Sequence, residues 1–207
     1  MEKIIITIGH EYCSGGREIG KETADRLGIA YYDSEIIDEA AKTSGLSAEY
    51  IKKSEESDTS SFLYNVVMNA GYASSFFNQS KETLPLDMQV YLAQQEAILK
   101  FAKESRVIVG RCADYVLQDE KNLFRCFTYA STESRIERAV KEHGADRDGA
   151  KKLIHQMDKK RSQHYNSYTE QVWGARGTYD LMIDSSVFGI GGTCDLIIKG
   201  LECRKMI

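Results

Sequence analysis

The sequence lacks any apolar run long enough to cross a bilayer, and its 207 residues include only one proline, Pro85. The five cysteines are odd in number and form no Cys-x-x-Cys pair, so neither a disulfide framework nor a zinc site is expected. The start of the chain shows no basic segment followed by a long apolar stretch and a cleavage site. We therefore expect a cytoplasmic protein that does not span a membrane.

The charge balance is slightly acidic, with a formal net charge of −4. Such a balance gives no general attraction to nucleic acid or to an anionic membrane. The four histidines show no metal-ligand spacing, so no protein-held metal cluster is expected. We therefore expect a small-molecule partner. The sequence does not decide whether the protein forms a homo-oligomer.

The most informative segment is residues 3–28, KIIITIGHEYCSGGREIGKETADRLG. A β-branched apolar run meets a turn-rich stretch between Gly9 and Gly16, and Arg17 and a helical pattern follow. Loop N–H groups and a helix N-terminus then point toward one place, which favours an anion. The layout predicts a phosphate site, although a glycine turn between any strand and helix gives a similar pattern.

The loop departs from the common phosphate-loop pattern G-x-x-x-x-G-K-[ST]. Five residues separate Gly9 from Gly15, Arg17 stands in place of lysine, and Glu18 replaces the magnesium-binding hydroxyl. Arginine can bind phosphate in a bidentate way, but it follows a moving phosphoryl group less easily. Cys13 is interpreted as a tolerated small residue, although a thiol beside arginine at a helix N-terminus can have a lowered pKa.

Short apolar strands alternate with helical patterns along the chain, which predicts an α/β fold with a mainly parallel sheet. The predicted strands cover residues 3–8, 29–32, 106–110, 124–130 and 180–184. The predicted helices cover residues 15–27, a segment beginning at residue 34, an apolar repeat at 62–70, residues 86–104, a segment beginning at residue 132, residues 148–165 and residues 194–203.

Four candidate residues follow predicted strands directly, and ligands of open parallel sheets bind at these carboxyl ends. They are Gly9, Asp33, Arg111 and Ser131. The polar stretch at residues 47–58 is consistent with either a loop or a solvated helix. Since more than 70 residues separate Asp33 from the third strand, we expect a helical lobe inserted there.

Five segments in order resemble the cytidylate kinase-like family, a nucleoside monophosphate kinase branch of the P-loop NTPases. The segments are ITIGHEYCSGGREIG, YYDSEII, VIVGRCADYVL, STESRIERAV and YDLMIDSS. The resemblance implies a single kinase-like domain with a P-loop NTPase-like three-layer α/β fold. It implies a core of residues 1–34, 105–145 and 179–207, a helical acceptor insert at 35–104 and a helical lid at 146–178.

The resemblance also implies site residues, ATP as the phosphoryl donor and Mg²⁺ as its bridging ion. The phosphate loop and donor site would contain Ser14, Gly15, Gly16, Arg17, Glu18, Asp184 and Ser185. The acceptor would contact Asp33, Arg111 and Tyr165, and the catalytic residues would be Arg17, Arg135, Arg138, Asp158 and Arg161. Asp158, Arg161 and Tyr165 are spaced to share one helix face, although a solvated basic helix explains that spacing as well.

Three positions depart from the family pattern: Arg17 replaces lysine, Cys112 replaces aspartate and Ile154 replaces a lid arginine. The leading hypothesis is a nucleoside triphosphate-dependent phosphotransferase, foremost a cytidylate-like nucleoside monophosphate kinase. A kinase for another small metabolite is one alternative. A nucleotide-binding regulator, or pseudokinase, without turnover is the other.

Overall fold

The computed structural model describes residues 3–55, 84–144 and 146–207. The predicted apolar repeat at 62–70 lies outside the described residues. Within the described residues, no helix is long and apolar enough to span a bilayer.

Five strands form one parallel sheet in the order β2-β3-β1-β4-β5. The strands are β1 (Ile5–His10), β2 (Ala30–Tyr32), β3 (Arg106–Val109), β4 (Leu123–Tyr129) and β5 (Leu181–Asp184). The central β1 pairs Ile8 with Val109 of β3 and with Cys126 of β4, so the carboxyl ends of these strands meet at one edge. The α/β prediction is confirmed.

The described helices pack on both faces of the sheet. They are α1 (Gly16–Leu27), α2 (Glu35–Ser44), α3 (Ala48–Glu55), α4 (Leu86–Phe101), α5 (Ala113–Val116), α6 (Thr132–His143), α7 (Arg147–Tyr168) and α8 (Ser185–Cys203).

Alternate side chains of β1 enter two different cores because successive strand residues point to opposite faces. Ile4, Ile6 and Ile8 pack with residues of α1 and α8. Ile5 packs with residues of α2, α4 and α5. The fold therefore has three layers, with a buried sheet between two layers of helices.

The structure decides one helix that the sequence left open and corrects the start of another. The open segment at residues 47–58 contains α3, whose Ile51 is buried against α2 and α4. The last helix begins at Ser185 rather than at residue 194, so the later start was wrong. Glycines obscured its first turns in the sequence, and Gly189 (φ 67°) bends the helix there.

Candidate functional site

Glycines in the loop between β1 and α1 let neighbouring side chains pack closely against the N-terminus of α1. Gly15, the N-cap residue, has a left-handed backbone (φ 83°), and a Cβ there would lie 2.5 Å from Ile190. A Cβ on Gly16 would lie 2.4 Å from His10. Since the N–H groups of a first helical turn have no intrahelical partners, this end of α1 presents donors and positive potential to an anion.

Two helices distant in sequence hold the backbone of the loop. Asp158 of α7 accepts a hydrogen bond from the Tyr12 N–H at 2.7 Å. Arg135 of α6 donates from Nε to the Tyr12 carbonyl at 2.8 Å, and Arg161 of α7 donates to the His10 carbonyl at 2.9 Å. The loop conformation therefore depends on α6 and α7.

Arg135 is a buried hub of these contacts, with only 5% of its surface exposed. It forms an ion pair with Glu11 at 2.8 Å and a second ion pair with Asp158. Burial is the main cause that raises the pKa of the Glu11 carboxyl, although Arg135 opposes that shift. Arg135 and Asp158, which the resemblance implied to be catalytic, thus bind each other and the loop in this structure.

The carboxylate of Asp33 joins arginines from two different elements. Its Oδ2 lies 2.8 Å from Nε of Arg17, in the first turn of α1. Its Oδ1 lies 2.8 Å from Nη1 of Arg111, which follows β3. The Asp33 and Arg111 side chains are mostly buried, whereas 63% of the Arg17 side chain is exposed. The ends of β2 and β3 and the first turn of α1 thus bring three of the predicted site residues together at one carboxylate.

An unusual backbone directs Arg111 into the site. Gly110, Arg111 and Cys112 have φ values of 71°, 54° and 55°, three consecutive left-handed residues. For residues with a side chain this conformation costs roughly 1–2 kcal/mol each. The run turns the chain sharply from β3 into α5, so that Arg111 and Asp114 reach the same cavity.

A cavity of about 340 Å³ lies between the strand ends, α1, α2, α3 and α7. Its cationic side chains are Arg17, Lys52, Arg111, Lys160 and Arg161. Its carboxyl and aromatic side chains are Asp33, Asp114, Tyr165, Trp173 and Tyr179. The sequence had indicated none of Lys52, Asp114 and Lys160 as a site residue.

Tyr165 and Asp114 form a buried hydrogen-bonded pair in this cavity. The Tyr165 hydroxyl donates to Asp114 Oδ2 at 2.6 Å, and Gln171 Oε1 lies 2.9 Å from the same hydroxyl. Burial raises the pKa of the Asp114 carboxyl and, together with Asp114, raises that of Tyr165. Tyr165 therefore stays neutral across the physiological range.

Two histidines line the same cavity and are held in the neutral form. Burial lowers the pKa of His164 to about 4, with Arg111 as a second cause. Burial, Arg161, Arg17 and Arg111 lower the pKa of His10 well below 6.5. The loop thus places the His10 ring in the cavity lining. Burial also raises the pKa of Cys13, so a thiolate is not favoured there.

The predicted donor-side residues mostly stabilise the loop itself. The Ser14 hydroxyl is buried, 2.9 Å from the Glu11 carbonyl and 3.1 Å from that of Thr128. Ser185 donates to the Ser14 carbonyl at 2.6 Å. Asp184 caps α8 by accepting from the Ser186 N–H at 2.9 Å.

Glu18 and Arg138 form an ion pair beside Gly15, and Arg138 also binds Glu142 at 2.7 Å. Arg138 keeps partial exposure, and its guanidinium lies near the start of α1. Ile154, by contrast, is buried among Ile136, Ala139 and Ala150. At the position where the family pattern has a lid arginine, this chain therefore has a buried isoleucine that packs between α6 and α7.

Residues 5–187 match the cytidylate kinase-like family, so the chain belongs to that family. No curated protein matches the chain. Among solved structures, an uncharacterised protein from Eubacterium ventriosum is 29% identical with a TM-score of 0.74, covering 98% of this chain and 100% of that one.

Two kinase structures share the fold at much lower identity. A shikimate kinase from Bacteroides thetaiotaomicron is 12% identical with a TM-score of 0.54, covering 96% of this chain and 98% of its own. A gluconokinase from Sinorhizobium meliloti is 13% identical with a TM-score of 0.53, covering 98% of this chain and 93% of its own. The chain therefore has the P-loop kinase fold predicted from its sequence.

Proposed function

We propose that this member of the cytidylate kinase-like family transfers a phosphoryl group from a nucleoside triphosphate, foremost ATP, to a small anionic acceptor, foremost a nucleoside monophosphate. The observation that carries the proposal is the contact of Arg17 and Arg111 with one carboxylate, Asp33. Arg17 belongs to the phosphate-loop helix, and Arg111 projects into the cavity. A donor phosphate at the loop and an acceptor in the cavity would meet at this junction.

The surrounding charges suit phosphoryl transfer, which depends mainly on alignment and positive charge around the transferred group. Arg17 and Arg161 lie toward the loop, since Arg161 binds the His10 carbonyl. Arg111, Lys52 and Lys160 line the cavity. We assign the loop arginines to the transferred phosphate and Arg111 to the acceptor phosphate. Asp33 holds Arg17 and Arg111 in place before ligands bind.

A magnesium ion would be bound here by phosphate oxygens and water, without a cage of protein ligands. Among the described residues, no group of three or more His, Cys, Asp or Glu side chains could hold a metal. Asp33 is the carboxylate between the loop and the cavity, and we assign it to hold the ion through water. When bound, Mg²⁺ would neutralise charge on the donor phosphates.

A kinase for a small hydroxylated metabolite is the second candidate, and Asp33 favours it. A carboxylate in the cavity can accept the proton of an alcohol, whereas it repels a phosphate acceptor unless arginines intervene. A nucleotide-binding regulator without turnover is a third. Glu18 favours it, because its carboxylate stands beside the loop in an ion pair with Arg138 and would repel triphosphate.

The decisive experiment measures ATP consumption by the purified protein with Mg²⁺, screened against nucleoside monophosphates and small hydroxy acids. Turnover with a nucleoside monophosphate is the expected result. Turnover with a hydroxy acid alone would establish the second candidate. Tight ATP binding by calorimetry without any turnover would identify a regulator. Absence of both binding and turnover would overturn the proposal.

A further inference from the structure

His164 lies in the wall of the cavity and has no role so far in the proposed transfer. It belongs to α7, lines the cavity and keeps part of its surface exposed. Its Nδ1 is buried and has no hydrogen-bond partner among the residues that the structure describes. A buried polar atom without a partner costs free energy, so packing alone gives no reason for a histidine at this place.

Aromatic side chains hold the His164 imidazole in one orientation. The centroid of its ring lies 4.8 Å from that of Tyr168. Tyr168 is itself fixed, because it stacks on Tyr91 at 4.4 Å and its carbonyl accepts a hydrogen bond from the Tyr91 hydroxyl at 3.1 Å. Since Nδ1 is on the buried side of the ring, we place Nε2 on the edge that the cavity reaches. A ring held in this way needs little ordering when a ligand binds.

The surroundings of this imidazole keep it uncharged. Burial lowers the pKa of His164 to about 4, and the charge of Arg111 is the second cause. A protonated imidazole carries an N–H on both nitrogens, so the charged ring would bury a donor at Nδ1 without an acceptor. The neutral tautomer with its proton on Nε2 presents a donor to the cavity instead. Three cations are among the titratable side chains that line the cavity around the ring: Lys160, Arg161 and Tyr165 of α7, and Asp33, Arg111 and Cys112 beyond the strand ends.

We propose that His164 is a further acceptor-binding residue, whose Nε2–H donates a hydrogen bond to an oxygen of the acceptor phosphate that Arg111 binds. The inference rests on the proposed function and adds an uncharged donor to its acceptor-phosphate subsite. Arg111 is close enough for its charge to act on the imidazole, so a phosphate bound at Arg111 would lie beside the ring. A neutral donor adds a directional contact to the phosphate without adding another cation next to Arg111 and Arg161.

Two substitutions separate hydrogen bonding from packing. His164→Leu keeps an apolar contact with Tyr168 but has no donor, whereas the amide of His164→Gln keeps an N–H donor in place of Nε2. We expect His164→Leu to raise KM for CMP by about tenfold or more at unchanged kcat, because the contact exists before and during transfer. His164→Gln should stay within about threefold of wild type, and KM for ATP should not change in either variant. His155→Leu, at an exposed position of the same helix, is the matched control.

Binding of CMP and of inorganic phosphate tests the contact without turnover, and the fluorescence of Trp173 in the cavity wall reports it. Both probes should bind wild type and His164→Gln more tightly than His164→Leu, because both carry the phosphate. A leucine variant that binds CMP as well as the glutamine variant, or a loss for CMP alone, would overturn the inference.

The charge of the bound imidazole is tested by calorimetry with CMP in two buffers that differ in ionisation enthalpy. Wild type and His164→Gln should take up the same number of protons on binding, since the imidazole donates while it stays neutral. Greater proton uptake by wild type would overturn the assignment of an uncharged donor. The expected order of affinities without any turnover would instead count against the proposed function alone.

Discussion

Arg17 and Asp33 connect the first turn of α1 to the cavity at the strand ends through a contact of 2.8 Å between Nε and Oδ2. The two residues lie on different elements, and Asp33 also binds Arg111 at the same distance. The carboxylate therefore lies between two guanidinium groups, and under the proposed function these groups would bind phosphate oxygens. Ligand binding is expected to replace part of this pairing with charge-assisted contacts to phosphate.

Replacing Arg17 with alanine should weaken binding of the triphosphate without unfolding the protein, because most of this side chain is exposed. One charge-assisted bidentate contact corresponds to about ten- to a hundredfold in affinity. Calorimetry with an ATP analogue measures the effect, and Lys21→Ala on the exposed surface of α1 is the control. Unchanged affinity would contradict the role of Arg17. Higher turnover in Arg17→Lys would show that arginine slows transfer at this position.

Arg111→Ala should weaken acceptor binding by at least tenfold and leave donor affinity near the wild-type value, since the side chain projects into the cavity beyond β3. Separate titrations of CMP and of an ATP analogue test this. Arg106→Ala, at the amino end of the same strand, controls for general damage to β3. Equal losses for both ligands would show that Arg111 does not discriminate acceptor from donor.

Arg135→Ala should destabilise the fold by about 3–5 kcal/mol, because it leaves the partly buried carboxylates of Glu11 and Asp158 without their cation. Urea unfolding followed by circular dichroism gives the free energy of unfolding. Arg147→Ala removes an exposed ion pair and should change it by less than about 1 kcal/mol. A fully stable Arg135→Ala protein that has lost only turnover would assign Arg135 to catalysis rather than to support of the loop.

His164 should make the protein less stable as the pH falls from about 6.5 to about 4. Its folded-state pKa is about 4, below the usual 6.5, so over this window the unfolded chain binds more protons than the folded one. The free energy of unfolding therefore rises with pH, by on the order of 3 kcal/mol at most from this group. His164→Gln should flatten the profile, whereas exposed His155→Gln should not. Parallel profiles for wild type and His164→Gln would refute the assignment.

The segment 146–178 should respond to ligand as a lid. Its helix α7 contacts the loop through Asp158 and Arg161, so occupancy of the loop by triphosphate should reinforce these contacts. Hydrogen exchange is expected to be fast in the free protein and slower with a bisubstrate analogue. Exchange as slow as in Ile5–His10, with no change on binding, would show that α7 is a fixed structural helix.

The sequence alone determined the alternation of strands and helices, the parallel sheet and the glycine-rich loop between the first strand and the first helix. These features depend on local patterns: β-branched runs, helical periodicity and glycines at turns. It also placed Asp33 and Arg111 at strand ends, where a parallel sheet must bring them to one edge. The start of α8 was missed because its glycine-rich first turns carry no helical pattern.

Only the tertiary structure decided which charged side chains share a partner. Arg135 and Asp158 are 23 residues apart, and Asp33 and Arg111 are 78 apart, so no local spacing predicts their pairing. Asp114 was missed for the same reason, since a left-handed turn at residues 110–112 directs it inward. The neutral state of His10 and His164 likewise results from burial by distant elements, and desolvation exists only once the chain has packed.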